Sequence, residues 1–598
     1  MFLESEVILC LALMSLVSGS DTLPPTCDSN IYCYGELLHT VQMASIFSDS
    51  KTFVDMKLKY PPNETLQRFD EMMNRTKKNP TRFDIEVFLN DTFEPAGSEF
   101  EEWDPEDWVE HPAFLDRIHD PDLRDWARKL NLLWKFLGRK IRTDVKNNPD
   151  HYSIIYVPNP VIVPGGRFRE FYYWDSYWIV RGLLVSQMYN TVKGMLHNLL
   201  SIVDLYGFIP NGGRKYYAMR SQPPLLIPMI KSYVDETKDI DFVKEHIVTM
   251  EKEFQHWMVN HTIKIEKDGV QYKLARYFDL SSGPRPESYR EDYTSAQIFR
   301  TAEEKEAFYS ELKTAAESGW DFSTRWFILN ATNKGNLTNL KVRYIIPVDL
   351  NSIIFWNAKI LSDFFMNVVN DAEKSSMYEE IAEQWKEAVT KVLWHEEVGA
   401  WLDYDTINEI KRDYFYPSNL APLWTGCYYK SDMTSDRVAK IMKYLEKSQI
   451  MTNQGGIPTT MEHSGEQWDY PNAWPPLQYI MIMGLNATGD DWAKALALEL
   501  TERWVHSNYK AFNSSEAMFE KYDATVAGGY GGGGEYEVQL GFGWTNGIIL
   551  EFLDKYGDIL QPEDQFNIQA ARLAGVGIMS AATNLVLVCL SVAFLLSI

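Results

Sequence analysis

The chain has 598 residues, of which 45% are hydrophobic and 14% are aromatic. This composition predicts a large, well-filled core and excludes an intrinsically disordered chain. The formal net charge of −25 argues against a nucleic-acid partner, because the phosphate backbone would be repelled. The sequence has no Cys-x-x-Cys, Walker A, HExxH or nucleophile-elbow motif, so we expect neither a metal nor a cofactor.

Residues 1–20 are typical of a signal peptide. The apolar run VILCLALMSLV is followed by the small residues SGS, which places the expected cleavage site near Ser20. The segment departs from the usual pattern because Glu4 and Glu6, and no Lys or Arg, precede the apolar run. A secretory route is supported by Asn-x-Ser/Thr sequons that begin at Asn63, Asn74, Asn90, Asn260, Asn330, Asn336, Asn486 and Asn513.

A second apolar segment occupies residues 573–598. It contains no charged residue, Arg572 stands directly before it, and it is longer than the roughly 20 residues that a membrane-spanning helix needs. We favour a spanning helix over a cleaved glycolipid-anchor signal, because the polar spacer after the small residues 580–582 is too short. A buried core helix would need a polar face, which this run lacks. The expected location is the cell surface, attached to the plasma membrane, with residues 21–558 outside.

The cysteine positions agree with this location. Cys10 and Cys589 fall in the two apolar end segments, which leaves Cys27, Cys33 and Cys427. The close pair Cys27 and Cys33 could form a small disulfide loop. Cys427 is then expected to be a buried free thiol.

Helical periodicity dominates after a proline-rich and charged entry region that ends near Trp108. In DLNSIIFWNAKILSDFFMNV (349–368), residues such as Leu350, Ile353 and Leu361 recur at helical spacing. Similar stripes occur near 121–141, 175–204, 241–258, 377–392 and 492–504. Only short runs such as KVRYIIPV and QYKLARYF are typical of strands. We therefore predict one all-α domain of paired helices over residues 21–558, with its loops gathered at one end.

Five of the loops combine aromatic rings with charged and amide side chains. They are PGGRFREFYYWDSYW (164–178), NGGRKYYAMRSQPP (211–224), GPRPES (283–288), ESGWDFSTRW (317–326) and QWDYPNAWPP (467–476). A sixth segment, FEKYDATVAGGYGGGGEYEVQ (519–539), adds carboxylates beside a glycine run. Any single segment of this kind is more often structural, but five together favour a carbohydrate site. Sugar hydroxyls bind charged and amide groups, while sugar C–H faces pack on aromatic rings.

Cleavage of a glycosidic bond needs two carboxyl groups, one protonated to assist the leaving oxygen and one acting as base or nucleophile. Asp321, between Trp320 and Phe322, suits the protonated role because an apolar, aromatic setting raises the pKa of a carboxyl group. Glu520 is a candidate for the second role. Composition alone does not prefer Glu520 to Asp175, Glu287, Asp469 or Glu535.

The glycine run GYGGGG (529–534) formally matches G-x-G-x-x-G. A dinucleotide site would need a strand before it and a helix after it, and the acidic EYE that follows would repel a pyrophosphate. A loop that closes over a sugar fits better, since glycine permits close backbone approach. WLDYDTINE (401–409) has acidic spacing similar to a calcium loop but lacks its glycine and terminal glutamate, so we assign it a structural role.

The segments PGGRFREFYYWDSYW and QWDYPNAWPP resemble the two signature segments of α,α-trehalases. ESGWDFSTRW, GPRPES and GGYGGGGEY match the same family, and the similarity extends from about Cys27 to Tyr556. CDSNIYC near the start of the mature chain is similar to that of animal, particularly insect, members. The resemblance implies an (α/α)6 toroid, with an active site of Gly/aromatic loops at one end, that hydrolyses trehalose to two glucose molecules with inversion.

The resemblance also implies roles at the matching positions. Asp321 becomes the general acid and Glu520 the base that activates water. Arg167, Arg220 and Arg285 match the arginines that the family requires near its substrate. Further substrate-binding positions are matched by Phe168, Tyr172, Trp174, Asp175, Asn211, Gln222, Glu287, Gly319, Trp474 and Glu535.

Two other functions stay open on the sequence. The same toroid could act as an α-glucosidase on another disaccharide, and release of glucose from trehalose but not from maltose would separate the two activities. A catalytically inactive sugar-binding protein at the cell surface would lack the acid or the base. Both Asp321 and Glu520 are present.

Overall fold

The structure, a computed structural model, describes residues 23–535 and 539–561. The α-helices of these ranges are α1 (Glu36–Met43), α2 (Lys51–Val54), α3 (Pro62–Arg75), α4 (Arg82–Thr92), α5 (Pro121–Leu137), α6 (Thr143–Asn147), α7 (Asp175–Val185), α8 (Tyr189–Tyr206), α9 (Leu226–Thr237), α10 (Ile240–Asn260), α11 (Tyr289–Ser295), α12 (Ala302–Glu317), α13 (Val348–Phe364), α14 (Ala372–Ala388), α15 (Ala421–Thr425), α16 (Ser435–Lys447), α17 (Pro475–Ala487), α18 (Asp491–Ser515) and α19 (Gly543–Tyr556).

The strands are short and form small antiparallel sheets within the loops. They are β1 (Lys57–Leu58), β2 (Phe93–Glu94), β3 (Phe100–Glu101), β4 (Gly138–Ile141), β5 (Val161–Ile162), β6 (Thr262–Lys267), β7 (Val270–Ala275), β8 (Ile345–Ile346), β9 (Trp394–His395), β10 (Ala400–Trp401), β11 (Tyr404–Asp405), β12 (Ile410–Lys411), β13 (Asn472–Ala473) and β14 (Tyr522–Asp523). Among them, β6 and β7 form a six-residue hairpin, and β13 pairs with β14 beside the loops described below.

Helices α7, α9, α13, α15, α17 and α19 form a closed inner ring. Each packs against the next in this order, and α19 packs against α7 to complete the ring. The outer helices alternate with them along the chain: α5 packs on α19, α8 on α7 and α9, α10 on α9, α14 on α13, and α18 on α17. Helix α16 occupies the remaining outer position in the chain, between α15 and α17. This arrangement confirms the predicted (α/α)6 toroid.

The inner helices are buried on more of their sides than the outer helices. An inner helix has neighbours on most sides, and in α7 every residue from Asp175 to Val180 is buried. The outer helices are amphipathic, and in α5 the residues Leu123, Trp126 and Leu130 face the core at helical spacing. Hydrophobic stripes of this kind fix which face of each helix points inward.

The predicted stripe of α13 is confirmed, because Leu350, Ile353 and Leu361 are all buried. Two other stripe residues were assigned wrongly to the core. Met377 and Trp492 are 42% and 49% exposed, since each lies on the solvent side of the first turns of an outer helix.

Two predicted boundaries need correction. The stripe over 175–204 is two helices, because residues 186–188 form a turn between α7 and α8 in which Gln187 has a φ of 62°. KVRYIIPV contributes only β8, since residues 342–344 form a 3-10 turn. QYKLARYF contains most of β7, as predicted.

Loop lengths place all the long loops at one end of the toroid. Inner helices connect to the following outer helices through short turns, such as residues 186–188 and 238–239. Outer helices connect to the following inner helices through residues 138–174, 207–225, 261–347, 389–420, 448–474 and 516–542. Because successive helices are antiparallel, these long loops all meet at the N-terminal ends of the inner helices. The loops singled out in the sequence therefore share one end of the molecule.

The N-terminal segment forms a smaller second core. It contains α1 to α4, which were not predicted within the entry region, and residues such as Leu38, Phe53 and Phe69 are buried in it. This core packs against the toroid loops at Tyr172 and Tyr217. The Cys27–Cys33 disulfide is present at the start of the segment, and Cys427 is a buried free thiol, as predicted.

Buried ion pairs join the N-terminal segment to the toroid loops. Lys51 Nζ lies 2.5 Å from Asp55 and 2.8 Å from Glu170. Arg214 pairs with the same Glu170 at 3.2 Å and with Glu99 at 2.5 Å. Burial raises the pKa of Glu170, but Lys51 and Arg214 outweigh burial and lower this pKa to about 2. Glu170 therefore has a structural role beside the site, since removing one member would leave a buried charge unpaired.

The predicted signal peptide (1–20) and the apolar segment (573–598) lie outside the described residues. Within residues 23–535 and 539–561, no helix combines the length and the apolar character that a membrane crossing requires.

Candidate active site

The long loops enclose one cavity at the N-terminal ends of the inner helices. It encloses about 640 Å³ of space between protein atoms, including its open mouth. Every residue that the sequence predicted for the site lines this cavity: Arg167, Phe168, Tyr172, Trp174, Asp175, Asn211, Arg220, Gln222, Arg285, Glu287, Gly319, Asp321, Trp474, Glu520 and Glu535. The structure thus brings together residues from five separate loops, while their individual chemical roles stay predictions.

Four tryptophans form a continuous apolar wall. Trp468 and Trp474 stack face to face, with ring centroids 3.7 Å apart. Trp544 meets Trp474 and Trp174 edge-on, at 5.8 Å in each case, and Trp174 lies 5.9 Å from Trp468. Flat apolar faces of this kind can pack against the C–H face of a sugar ring.

Gly319 allows the loop before Asp321 to lie directly against this wall. Its φ is 78°, and a Cβ atom at this position would lie 2.7 Å from Trp174 Cζ2. Only glycine fits such a backbone conformation and such an approach without displacing the ring. On its other side, the main-chain N–H of Trp174 donates to Gln222 Oε1 at 3.1 Å.

Arg285 lies between two carboxylates. Its Nη2 donates to Asp292 Oδ1 at 2.6 Å and to both Glu535 oxygens at 3.0 Å. The guanidinium lies 4.9 Å from the centroid of the Phe322 ring. These contacts hold the arginine beside the loop that carries Asp321.

The other two predicted arginines are held in the same way. Arg220 donates to Glu287 Oε1 at 2.5 Å and to Asn211 Oδ1 at 3.1 Å. Arg167 donates to both oxygens of Asp49, at 2.6 and 3.0 Å. Glu287 Oε2 is buried and has no partner among the described residues, so it is an acceptor available to a ligand hydroxyl.

The electrostatic setting of Asp321 suits a general acid. Burial in the cavity raises the pKa of Asp321 to about 6. Arg285, followed by Arg220 and Arg167, acts in the opposite direction and limits the rise. The carboxyl group can therefore be protonated at mildly acidic pH. The arginines stabilise the carboxylate that forms when it donates its proton.

The other cavity carboxylates differ from one another. Burial raises the pKa of Asp175 well above its ordinary value, and the charges of Glu520 and Asp321 add to this rise. Burial also raises the pKa of Glu535, to about 7. For Glu287 burial acts in the same direction, but Arg220 and Arg285 outweigh it and the pKa is lowered. The lowered pKa keeps Glu287 ionised, which does not suit a proton donor.

Glu520 is 2% exposed and stands on the short stretch before β14. Its main-chain N–H donates to the carbonyl of Gln539 at 3.0 Å, and the indole N–H of Trp544 donates to its carbonyl at 3.1 Å. The Gln539 N–H lies 3.4 Å from Glu520 Oε2. These contacts fix both the backbone and the side chain of the predicted base.

A buried arginine anchors the loop that carries Asp321. Arg325 is fully buried, donates to Asp349 at 2.8 and 2.9 Å and to Asp403 at 2.8 and 3.1 Å, and lies over the rings of Trp320 and Trp326. Asp403 belongs to WLDYDTINE, so that motif has a structural contact here. Among the described residues, no group of His, Cys, Asp and Glu side chains is arranged to hold a metal ion.

Asp469, one of the alternatives to Glu520, has a structural position instead. Its carboxylate accepts hydrogen bonds from Ser323 Oγ at 2.8 Å, from the main-chain N–H of Thr324 at 2.9 Å and from Thr460 Oγ1 at 3.0 Å. Asp469 is completely buried beneath the Asp321 loop and does not line the cavity. Its oxygens are used to join two loops.

The glycine run lies beside the cavity mouth. Gly532 exchanges two hydrogen bonds with the side chain of Asn472, at 2.7 and 3.0 Å. Residues 531–534 line a neighbouring chamber that shares Arg167 and Glu535 with the cavity. The two-residue β14 that precedes the run is too short for the strand of a βαβ unit, which disfavours the dinucleotide site.

Sequence reasoning missed several residues of the site. Asp49 comes from the N-terminal segment, and no local pattern marks it as the partner of Arg167. Trp468 stands in QWDYPNAWPP and could have been found there, since its neighbour Trp474 was selected. Phe542 and Trp544 line the cavity from the start of α19, beyond the last of the motifs quoted from the sequence.

Comparison with known proteins identifies the family. A family model described as Trehalase matches residues 45–557. The chain belongs to the trehalase family. A trehalase from Apis mellifera is 65% identical over 543 residues, which cover 91% of this chain and 86% of that protein. A trehalase from Homo sapiens is 45% identical over 555 residues, which cover 93% and 94%.

A solved structure supports the same assignment. The neutral trehalase Nth1 from Saccharomyces cerevisiae matches with a TM-score of 0.53 and 25% identity, and the match covers 67% of this chain and 76% of that chain. The range matched by the trehalase family model includes all the loops that form the cavity and the complete helix ring, α7 to α19. The family assignment therefore extends over the whole toroid.

Replacing Gly319 with alanine tests the contact with the tryptophan wall. The new Cβ would lie 2.7 Å from the Trp174 ring, so we expect G319A to displace the ring and to lower the free energy of unfolding by about 1–3 kcal/mol beyond the backbone strain. The measurement is urea unfolding followed by tryptophan fluorescence. G489A is a matched control, because Gly489 has a φ of 79° and open space around it. Equal losses in the two variants would contradict the packing argument.

Proposed function

We propose that the protein hydrolyses α,α-trehalose to two glucose molecules with inversion, using Asp321 as general acid and Glu520 as general base. The observation that carries this proposal is that both carboxyl groups line one cavity together with three arginines and a tryptophan wall. The substrate is supported by the relatives named trehalase at 65% and 45% identity.

The two carboxyl groups would act from opposite faces of the sugar ring whose glycosidic bond breaks. Asp321 gives its proton to the glycosidic oxygen as the C–O bond breaks, and Glu520 takes a proton from the water whose oxygen bonds to the anomeric carbon. The step leaves Asp321 ionised and Glu520 protonated, and proton exchange with solvent restores both. Inversion requires a separation of about 6.5–9.5 Å between the carboxyl groups to leave room for that water.

The arginines favour this division of roles. Arg285, Arg220 and Arg167 lower the pKa of Asp321 against the effect of burial, which stabilises the carboxylate formed when the proton leaves. The same arginines are fixed by carboxylate partners, so little reorganisation is needed when charge develops. Glu287 Oε2 and the tryptophan wall supply a hydroxyl acceptor and an apolar face for the sugar.

The two alternatives are less well supported. An α-glucosidase acting on another disaccharide would share the toroid and the acid–base pair, but the family and the names of the relatives favour trehalose. An inactive sugar-binding protein would not need the pair Asp321 and Glu520 in one cavity, and the relatives at 65% and 45% identity are named trehalase. A panel of trehalose, maltose and isomaltose distinguishes all three functions.

Removing either carboxyl group should abolish turnover without unfolding the protein. We expect D321N and E520Q each to lower kcat for trehalose by about 10²–10⁴-fold, because each variant loses one proton-transfer step. Glucose release and thermal unfolding of each variant provide the measurement. D321N should retain activity on α-glucosyl fluoride, whose leaving group needs no proton, whereas E520Q should lose it.

The configuration of the first products tests inversion separately. Proton NMR at early times should show one α-glucose and one β-glucose from each trehalose. Two α-glucose molecules would contradict inversion, and near-wild-type hydrolysis by D321N or E520Q would contradict the assignment of that residue.

The raised pKa of Asp321 determines the expected pH dependence. A general acid must be protonated in the free enzyme. On the alkaline limb of the pH profile, kcat/KM for trehalose should therefore fall as the pH rises through about 6. The acidic limb is set by the general base, which must be ionised. The measurement is kcat/KM across the pH range in which the protein stays folded. Hydrolysis of α-glucosyl fluoride is the control and should lack this fall. A constant kcat/KM for trehalose up to pH 9 would rule out Asp321 as the acid.

We also propose that the protein passes through the secretory pathway and stays at the cell surface with the toroid outside. The Cys27–Cys33 disulfide supports an oxidising compartment. The asparagines of seven sequons are exposed, and that of the eighth, Asn486, is half-buried. Attachment to the membrane would depend on residues 573–598.

Expression of the full chain in animal cells tests this placement. We expect glycosidase treatment to lower the apparent mass and trehalose hydrolysis to occur at the outer surface of intact cells. The activity should stay with the membrane after treatment with a phosphatidylinositol-specific phospholipase, whereas release would indicate a lipid anchor. Activity confined to the cytosol would contradict the proposal.

A further inference from the structure

Lys521 is a buried cation directly after the proposed base. The residue is completely buried, and its Nζ donates to Gln467 Oε1 at 2.8 Å and to the carbonyl of Gly533 at 3.2 Å. The same ammonium lies 5.1 Å from the centroid of the Trp474 ring. A buried lysine has a desolvation cost, so its partners indicate what it stabilises.

The first partner leads to the proposed acid. Gln467 is 2% exposed, and while its Oε1 accepts from Lys521, its Nε2 donates to the main-chain carbonyl of Asp321. One side chain therefore bridges the Lys521 ammonium and the backbone of Asp321. The carbonyl of Gln467 accepts the indole N–H of Trp474 at 2.8 Å, which ties the same loop to the tryptophan wall.

The second partner lies in the glycine run. The carbonyl of Gly533 accepts from Lys521 Nζ, and the N–H of Gly531 donates to the Lys521 carbonyl at 3.3 Å. A Cβ at Gly534 would lie 2.8 Å from Gln467 Oε1, so the run packs closely on the bridging glutamine. Lys521 thus contacts the 448–474 loop and the glycine run of its own loop, and it is linked to the Asp321 loop through Gln467.

The charges around Lys521 are those of the proposed catalytic pair. Burial lowers the pKa of Lys521 to about 8, while Glu520 and Asp321 act in the opposite direction. Since such interactions are mutual, the ammonium attracts the negative charge of both carboxylates. Asp175 and Glu535 also interact with this pair. Arg285, Arg220 and Arg167 face Asp321 from the other loops.

We propose that Lys521 is a positioning residue for the reaction. Its ammonium holds the Asp321 loop through Gln467, and the glycine run through Gly533, in fixed positions relative to Glu520. This inference rests on the proposed function, because it assigns the two carboxyl groups as acid and base.

Replacing Lys521 with methionine tests both parts of the proposal. K521M keeps the length of the side chain but removes the charge and its hydrogen bonds. We expect kcat for trehalose to fall by about 10²-fold, as loss of fixed geometry predicts, with KM within about threefold. The acidic and the alkaline limb of the pH profile of kcat/KM should both move to higher pH, because both carboxyl groups lose a nearby cation.

Two further variants separate charge from geometry. K521R keeps the positive charge, so both limbs should stay at their wild-type positions even if the larger side chain lowers kcat. Q467L keeps the lysine but removes the bridge to Asp321. We expect Q467L to lower kcat by about 10²-fold, with both limbs in place.

Lys313 provides a matched control. It is also completely buried and donates to the carbonyls of Ser281 and Gly283, at 2.5 and 2.9 Å, but it does not line the cavity. K313M should therefore lower the melting temperature without moving either limb of the pH profile.

The outcomes are distinct. A wild-type protein that does not hydrolyse trehalose contradicts the proposed function itself. An active wild type with K521M limbs unmoved overturns the positioning role, whether or not K521M is less stable. If K521M does not fold, the test rests on Q467L. A stable Q467L with wild-type kcat overturns the proposal. A Q467L variant with lower kcat and with both limbs of the pH profile unmoved supports it.

Discussion

The site depends on burying many charges in an aromatic cavity, where a charge without a partner is costly. The protein meets this constraint by pairing most of them. Arg285 lies between Asp292 and Glu535, and Arg220 pairs with Glu287. Pairing holds these groups in place, which makes them suited to binding. In the proposed reaction the proton donor is Asp321, a carboxyl group whose pKa is raised by burial.

The toroid provides the rigid frame for this arrangement. Its inner helices all begin at one end, and five of the six long loops that join an outer helix to an inner one contribute residues to the cavity. Buried polar contacts then fix the loops to one another. Arg325 joins the Asp321 loop to Asp349 at the start of α13 and to Asp403. Asp469 joins the Asp321 loop to the 448–474 loop.

The N-terminal segment extends this frame. Its own small core packs on toroid loops, and Asp49 holds Arg167 at the cavity mouth. Lys51 and Glu170 form a second, fully buried link nearby. One of the three proposed substrate arginines is therefore positioned by a part of the chain that lies outside the helix ring.

The sequence by itself determined the helical class, the toroid, the family and most of the cavity residues, because hydrophobic stripes and long motifs are local patterns. Composition alone did not choose between Glu520 and Asp469, since both are acidic residues beside aromatic rings, and the choice of Glu520 rested on the family resemblance. Only the tertiary structure placed Glu520 in the cavity and Asp469 beneath it. The partners Asp49 and Lys521 were also decided there, because a contact between distant segments leaves no trace in local spacing.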